Sequence, residues 1–253
     1  MITWRRVLYF GLHRLAGFLN RASHMCLSAA AGTLRMRELR DRIRGSWQDF
    51  RSDDVDIVDG LTSWEKETVE RFFRPGERVL VVGSGSGREL LALITMGYQA
   101  IGIEPAAPAS AIARRVLAAR GHPCDVIDGF IEDVTLAGAF DVIVFSYYTY
   151  GLIPESRRRV QALCKVAAHL AHDGRVVISY WIRDDGAMPA RAARAMARMT
   201  RSDWHPEAGD VIGNAQYEHV FTAEEIASEA ASAGLRVVFH GKIRDSPVLV
   251  VTL

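Results

Sequence analysis

Short apolar runs alternate with stretches of helical periodicity from residue 79 to the end of the chain. The runs predict strands at 79–82, 100–104, 125–127, 141–145, 175–179, 236–240 and 248–253, with helices near 89–96, 109–120, 155–172 and 223–233. Such alternation predicts an α/β fold with a mostly parallel, doubly wound sheet of seven strands. Residues 241–247 are too few for a parallel crossover, so the last strand is predicted to be antiparallel.

The first twenty residues have the apolar spacing of an amphipathic helix, in which Trp4, Leu8, Leu12, Leu15 and Leu19 share one face. We expect this helix to pack on the main domain. The alternatives are a helix that lies on a membrane surface and one that caps a lipophilic substrate pocket.

Two boundaries divide the chain. A capping box, Thr62 to Glu65, predicts a helix that ends before Pro75, so residues 1–61 form an N-terminal helical extension and 62–253 the sheet domain. The long connection at 181–222 is predicted to be an insertion, in which Pro189 begins a helix. Four of its arginines recur at three- and four-residue steps and predict a solvated basic face, or else a lid over substrate: Arg191, Arg194, Arg198 and Arg201.

The formal net charge of +1 on 253 residues gives no general case for a nucleic-acid partner, although residues 1–50 hold nine arginines against three acids. The three cysteines are scattered, which predicts neither a metal site nor a disulfide framework and favours a reducing cytoplasm. Arg5 and Arg6 precede an apolar run as in a signal peptide, but His13 and Arg14 interrupt that run. We therefore expect a cytoplasmic protein, with peripheral membrane contact as an alternative.

The first predicted strand of the sheet enters a glycine turn, and the second ends in Glu104 about twenty residues further on, where a ribose is held in nucleotide-binding folds. A pyrophosphate-binding turn has glycines at its first, third and sixth positions. Here the sixth position is Arg88, and the third glycine comes one place earlier, at Gly87. A nicotinamide dinucleotide is therefore disfavoured, although that interpretation and a turn without any ligand both stay open.

The Gly-x-Gly-x-Gly turn followed by Glu104 resembles that of class I S-adenosylmethionine-dependent methyltransferases. The resemblance implies that S-adenosylmethionine is the cofactor, that Glu104 accepts hydrogen bonds from both ribose hydroxyls, and that the loop after the third strand holds adenine. The family's usual Gly-Asp order is reversed here, at Asp128-Gly129. The predicted cofactor-binding residues are Gly83, Ser84, Gly85, Gly87, Glu104, Pro105, Asp128, Gly129, Phe130, Ile131 and Ser146.

Three tyrosines follow the fourth strand, where methyltransferases of nucleobases and amides commonly carry Asn or Asp before two prolines. That motif is absent, and the tyrosines predict a pocket for a small, partly apolar molecule, with at least one of the rings in the core. The candidate catalytic bases are Tyr147, Tyr148, His205 and His219.

We thus expect an enzyme that methylates oxygen, or else nitrogen, of a small metabolite or lipid-like acceptor. The alternatives are a non-catalytic S-adenosylmethionine-binding module, an NAD(P)-dependent reductase and a nucleic-acid-modifying enzyme. Three experiments distinguish them: titration with S-adenosylmethionine and with NAD(P), a panel of methyl acceptors, and a test for salt-dependent RNA binding.

Overall fold

The computed structural model describes residues 4–46, 60–183, 190–212 and 217–253. Its main feature is a seven-stranded sheet in the order β3-β2-β1-β4-β5-β9-β8, in which only β9 runs against the others. The strands are β1 (Arg78–Val82), β2 (Gln99–Glu104), β3 (Val126–Asp128), β4 (Phe140–Phe145), β5 (Leu170–Ser179), β8 (Arg236–Ile243) and β9 (Ser246–Thr252), and β6 (Asp210–Ile212) pairs separately with β7 (Tyr217–His219). The predicted fold, including the antiparallel last strand, is confirmed.

Helices cover both faces of this sheet. They are α1 (Trp4–Gly32), α2 (Met36–Gly45), α3 (Ser63–Phe72), α4 (Arg88–Thr95), α5 (Ala107–Ala119), α6 (Ser156–Ala167), α7 (Arg191–Thr200) and α8 (Ala223–Ser232). Side chains alternate along β1, so that Val79 and Val81 pack against α3, α4 and α5, whereas Leu80 and Val82 pack on the side of α6 and α8. The predicted helix over 155–172 ends early, because Leu170 already pairs with Phe140 in the sheet.

The first helix does not pack as expected. Residues 4–21 of α1 are exposed all round, and only the end of the helix contacts the protein, where it lies against α7. Gly32 allows that approach, because a Cβ there would collide with the backbone of Ala193. The predicted packing of the first twenty residues on the main domain is therefore wrong for every residue of that segment that the structure describes.

The extension and the insertion fold together into a third apolar cluster. We call it the cap cluster, and its buried members are Ala31, Met36, Leu39, Ile43, Trp204, Ile212 and Tyr217. The backbone N–H of Met36 donates to Asp203 over 2.6 Å, which fastens the start of α2 to the insertion. The arginines of α7 are exposed, as a solvated face requires, whereas Pro189 lies outside the described residues. Phe130 and Leu152 of the sheet domain pack against the cap cluster.

Candidate functional site

A cavity of about 480 Å³ lies at the carboxyl ends of β1, β2 and β4, where ligands bind in open α/β sheets. Its volume falls in the range of roughly 300–1,000 Å³ that is usual for small-molecule sites. The predicted cofactor residues that line it are Gly83, Ser84, Gly85, Glu104, Pro105, Gly129, Phe130, Ile131 and Ser146. Ile43 of α2 also lines the cavity, so the extension supplies part of the wall.

The glycine turn forms the floor of the cavity. Gly83 has φ 78°, and a Cβ at this position would collide with Thr149, so the turn leaves no room for a side chain. Gly85 has φ 53° and open space on its side-chain face. Gly87 is different, because it begins α4 and packs against Ala113 instead of lining the cavity. The predicted contact of Gly87 with a cofactor stays a prediction.

Glu104 is held in one orientation at the end of β2. Its side chain is buried, and its two oxygens each accept a backbone N–H at 2.8 Å, from Gly85 and from Ala106. Burial raises the pKa of the carboxyl, while the two backbone bonds act against that rise. A carboxylate oxygen has two lone pairs, so each oxygen can still accept one more hydrogen bond. The geometry suits a pair of adjacent hydroxyls.

Asp128 does not reach the cavity. It is exposed, bonds to the Ser110 hydroxyl and lies 2.9 Å from Arg114, and these two contacts lower its pKa. The acid that lines the cavity from this loop is Glu132, which is not among the predicted cofactor-binding residues. Burial raises the pKa of Glu132, and its Oε2 is buried without a hydrogen-bond partner. The sequence signal was present, since Glu132 was one of three acids in the loop.

A second set of charges lies at the start of α4. Arg88 bonds to Glu65 and to Glu89 at 2.7 Å each, and the Ser146 hydroxyl donates to Glu89. Burial raises the pKa of Glu89 even beside the Arg88 guanidinium. Arg88 and Glu89 both line the cavity, although the sequence indicated only a helix there. Ser84, Arg88, Glu89, Glu104 and Glu132 are hereafter the cavity cluster.

The three tyrosines after β4 have three different surroundings. Tyr147 lines the cavity and is half exposed, with the Arg88 guanidinium carbon 5.9 Å from its ring centroid. Tyr148 does not line it: the ring stacks on Trp181 at 4.0 Å, and the hydroxyl lies 3.2 Å from Ser246 Oγ. Tyr150 is buried in the core, as expected for at least one of the three.

The turn that carries the first two tyrosines is strained. Tyr147 and Tyr148 have φ 32° and 66°, a region that bulky residues rarely adopt. The backbone N–H of Tyr148 donates to Ser179 Oγ over 2.9 Å and helps to hold this conformation. In this conformation Tyr147 lines the cavity and Tyr148 does not, so of these two candidates Tyr147 is the one placed to contact a ligand there.

Neither candidate histidine lines the cavity. The His205 side chain is exposed, with Nδ1 3.1 Å from Glu155 Oε1. His219 is completely buried, with its ring nitrogens 2.7 Å from Asp210 and 3.1 Å from Glu225. Both were predicted to be catalytic bases because they fall in a polar insertion. Their imidazole rings instead bond to carboxylates of the same chain, away from the cavity.

His219 belongs to a continuous set of buried charges beside the core. Arg159, which has no exposed surface, bonds to Glu229 and Glu207 at 2.8 Å each, and Tyr150 donates to Glu229. Six residues form this buried network: Arg159, Glu207, Asp210, His219, Glu225 and Glu229. Ligand atoms of Glu207, Asp210 and His219 lie within 4.8 Å of one another, but each already has protein partners, so we assign no metal to them.

The sheet order, the glycine turn and the buried acid at the end of β2 together define the class I methyltransferase fold. Residues 61–240 match the family model described as a methyltransferase domain. This chain therefore belongs to the class I S-adenosylmethionine-dependent methyltransferases, as the sequence resemblance implied. It is an enzyme of the transferase class whose cofactor is S-adenosylmethionine.

Several known proteins are similar to this chain over part or most of its length. An uncharacterized methyltransferase of Alkaliphilus oremlandii is 33% identical over 100 residues, which span 40% of this chain and 44% of that relative. The 1,6-didemethyltoxoflavin-N1-methyltransferase of Burkholderia thailandensis has a TM-score of 0.62 at 15% identity, over 86% of this chain and 90% of that one. The sugar N-methyltransferase KedS8 of Streptoalloteichus has a TM-score of 0.56 at 19% identity, over 86% and 92%. These two structures support the fold.

Proposed function

We propose that this protein transfers a methyl group from S-adenosylmethionine to an oxygen, or alternatively a nitrogen, of a small, partly apolar acceptor. The observation that carries the proposal is the cavity at the carboxyl edge. It combines an oriented, buried Glu104 with Ser84 and Glu132, two lining residues that each have a buried side-chain oxygen without a hydrogen-bond partner. Buried polar atoms are rarely left unpaired unless a ligand or water completes them.

The residues present fit the cofactor. In this proposal Glu104 accepts hydrogen bonds from the ribose hydroxyls. Glu132, instead of Asp128, accepts a hydrogen bond from the exocyclic amine of adenine, and Phe130 and Ile131 pack against the adenine ring. Arg88, Glu89 and Ser146 offer both charge signs to the zwitterionic amino-acid end. S-adenosylmethionine supplies a methyl group that is already activated by its sulfonium.

The acceptor occupies the rest of the cavity, whose wall there is apolar. Ile43, Leu61, Leu152 and Ile153 line it, together with the ring of Tyr147. These side chains hold the acceptor in line and exclude water, and such positioning contributes roughly 7–11 kcal/mol in well-oriented reactions. Tyr147 is the residue we propose to contact the acceptor atom, as a hydrogen-bond partner or base.

The cavity and the relatives together support a small molecule as the acceptor. Two structurally similar enzymes, by their names, methylate nitrogen of 1,6-didemethyltoxoflavin and of a sugar, which are small molecules. Those names do not choose between oxygen and nitrogen here. We prefer a hydroxyl or carboxyl oxygen, because the Asn/Asp-Pro-Pro motif of amide and nucleobase methyltransferases is absent after β4. A cytoplasmic location, with membrane contact through residues 1–20, completes the proposal.

Calorimetric titration of the purified protein with S-adenosylmethionine, S-adenosylhomocysteine, NADH and NADPH tests the cofactor. We expect binding of the first two only. A panel of hydroxyl, carboxyl and amine acceptors, with S-adenosylhomocysteine release as the readout, then tests catalysis. Binding without turnover on every acceptor would favour the non-catalytic module, and nicotinamide binding alone would refute the proposal.

A further inference from the structure

The exposed part of α1 has the charge and shape of a helix that lies in a lipid surface. Seven apolar side chains fall within an arc of about 140° at 100° per residue: Trp4, Val7, Leu8, Leu12, Leu15, Phe18 and Leu19. Each is more than half exposed, from 51% for Leu15 to 70% for Trp4. We call this arc the apolar face. None of the chain that the structure describes covers it.

The charges around the apolar face all have one sign. On the helical wheel Arg5 borders one edge, and Arg14 and Arg21 border the other, while Arg6 and His13 lie opposite. Residues 1–37 contain no aspartate or glutamate at all. Arginines at the rim of an apolar face can bury their stems and keep the guanidinium at the level of lipid headgroups. A second copy of the chain would instead bring these like charges together.

The segment is suited to lie along a bilayer. Among the described residues no helix is long and apolar enough to cross a membrane. Residues 4–21 extend about 27 Å at 1.5 Å per residue. A helix with an apolar face, basic borders and aromatic residues is typical of in-plane membrane anchors.

We propose that α1 docks this enzyme on a membrane surface that contains anionic lipids, with the apolar face in the acyl boundary and the arginines on the headgroups. The helix is continuous from Trp4 to Gly32, and its last turns join the cap cluster, against which Phe130 and Leu152 of the cavity wall pack. Docking therefore places the cavity near the bilayer, where an amphiphilic acceptor is concentrated. The docking itself does not depend on the methyl-transfer proposal.

The helix provides a matched pair of variants. Leu15→Gln/Phe18→Gln removes two side chains of the apolar face. Tyr9→Gln/Phe10→Gln removes two side chains of similar exposure, 63% and 60%, that lie outside it. Glutamine is a good helix former, so neither pair should unfold α1, and circular dichroism checks this.

Co-sedimentation of the full chain with vesicles of phosphatidylcholine, with and without 30% phosphatidylserine, measures docking. We expect binding to the anionic vesicles, at least a tenfold loss in Leu15→Gln/Phe18→Gln, and less than a threefold loss in the control pair. Binding should weaken between 0.1 and 0.5 M salt, because the headgroup attraction is screened. Absence of binding, equal binding to both vesicles or equal losses in both pairs would overturn the proposal.

Sedimentation velocity without vesicles tests the competing occupant of the apolar face. A wild-type dimer that Leu15→Gln/Phe18→Gln converts to monomer would show that a second copy covers the face, and it would refute membrane docking. A monomer in both proteins is the expected result. Cofactor titration of the variants should match the wild type, so failure of docking and failure of the methyltransferase proposal are distinguishable.

Discussion

The cavity cluster and the buried network are both rich in charged side chains, but they differ in whether those groups are satisfied. Ser84 and Glu132 of the cavity cluster keep buried oxygens without partners. No buried side-chain atom of the six network residues lacks a partner. Residue type alone therefore does not identify a site. A ligand site is recognised by polar groups that face a cavity and still have hydrogen bonds to make.

The largest expected effect is on the free energy of unfolding, to which the buried network should contribute strongly. Arg159→Met removes the partner of the buried carboxylate of Glu229 and of the partly buried carboxylate of Glu207, and should lower the free energy of unfolding by about 3–5 kcal/mol. Urea denaturation measures the loss. The control is Arg71→Met, which breaks an exposed pair with Glu67 and should cost less than about 1 kcal/mol. Similar losses in the two variants would show that the network does not stabilise the fold.

The second prediction concerns the cavity cluster. Glu104→Ala should weaken S-adenosylhomocysteine binding roughly 30- to 150-fold, equivalent to about 2–3 kcal/mol, because hydrogen bonds to a charged acceptor are lost. Calorimetry measures the dissociation constant. Glu89 is unsuitable as a control since it also lines the cavity, so the comparison is with Glu70→Ala, an exposed position of α3. Equal affinities in the two variants would refute the ribose assignment.

The third prediction distinguishes the two acids of the adenine loop. Glu132→Ala should weaken cofactor binding by about 1–2 kcal/mol, or roughly 5- to 30-fold, because it removes the carboxylate of a lining residue whose Oε2 has no hydrogen-bond partner. Asp128→Ala should change affinity less than twofold, since its carboxylate is committed to Arg114 and Ser110. The same titration measures both variants, and the reverse order would restore Asp128 as the adenine acid.

The smallest expected effect is the pH dependence of the network. Burial lowers the pKa of His219, but the bonds to Asp210 and Glu225 outweigh it and raise the pKa above 6.5. A raised pKa means that the protonated histidine stabilises the fold fully below pH 6.5, and that this stabilisation is lost as pH rises through the folded-state value. The wild type should therefore lose more unfolding free energy than His219→Gln between pH 6 and pH 9. Parallel urea profiles would contradict this charge assignment.

The fold was predictable because strand and helix periodicity is local. The runs at β1 and β2, the short link before β9 and the capping box at Thr62 each lie within a few residues. Pairing is not local: Arg159 meets Glu229 70 residues away, and His205 meets Glu155 across 50. Whether a polar side chain is free to bind a ligand depends on such distant partners. For the same reason the amphipathic pattern of α1 predicted a helix but not that its apolar face would be exposed.

Ile43 supplies part of the cavity wall from outside residues 61–240, the range shared with the methyltransferase family. One side chain of the proposed acceptor wall thus comes from outside the segment that holds the cofactor. Exchange of residues in α2 should alter which molecules are methylated while the affinity for the methyl donor stays nearly constant. If that result is obtained, selectivity can be engineered through α2 without any change to the cofactor-binding residues at the sheet edge.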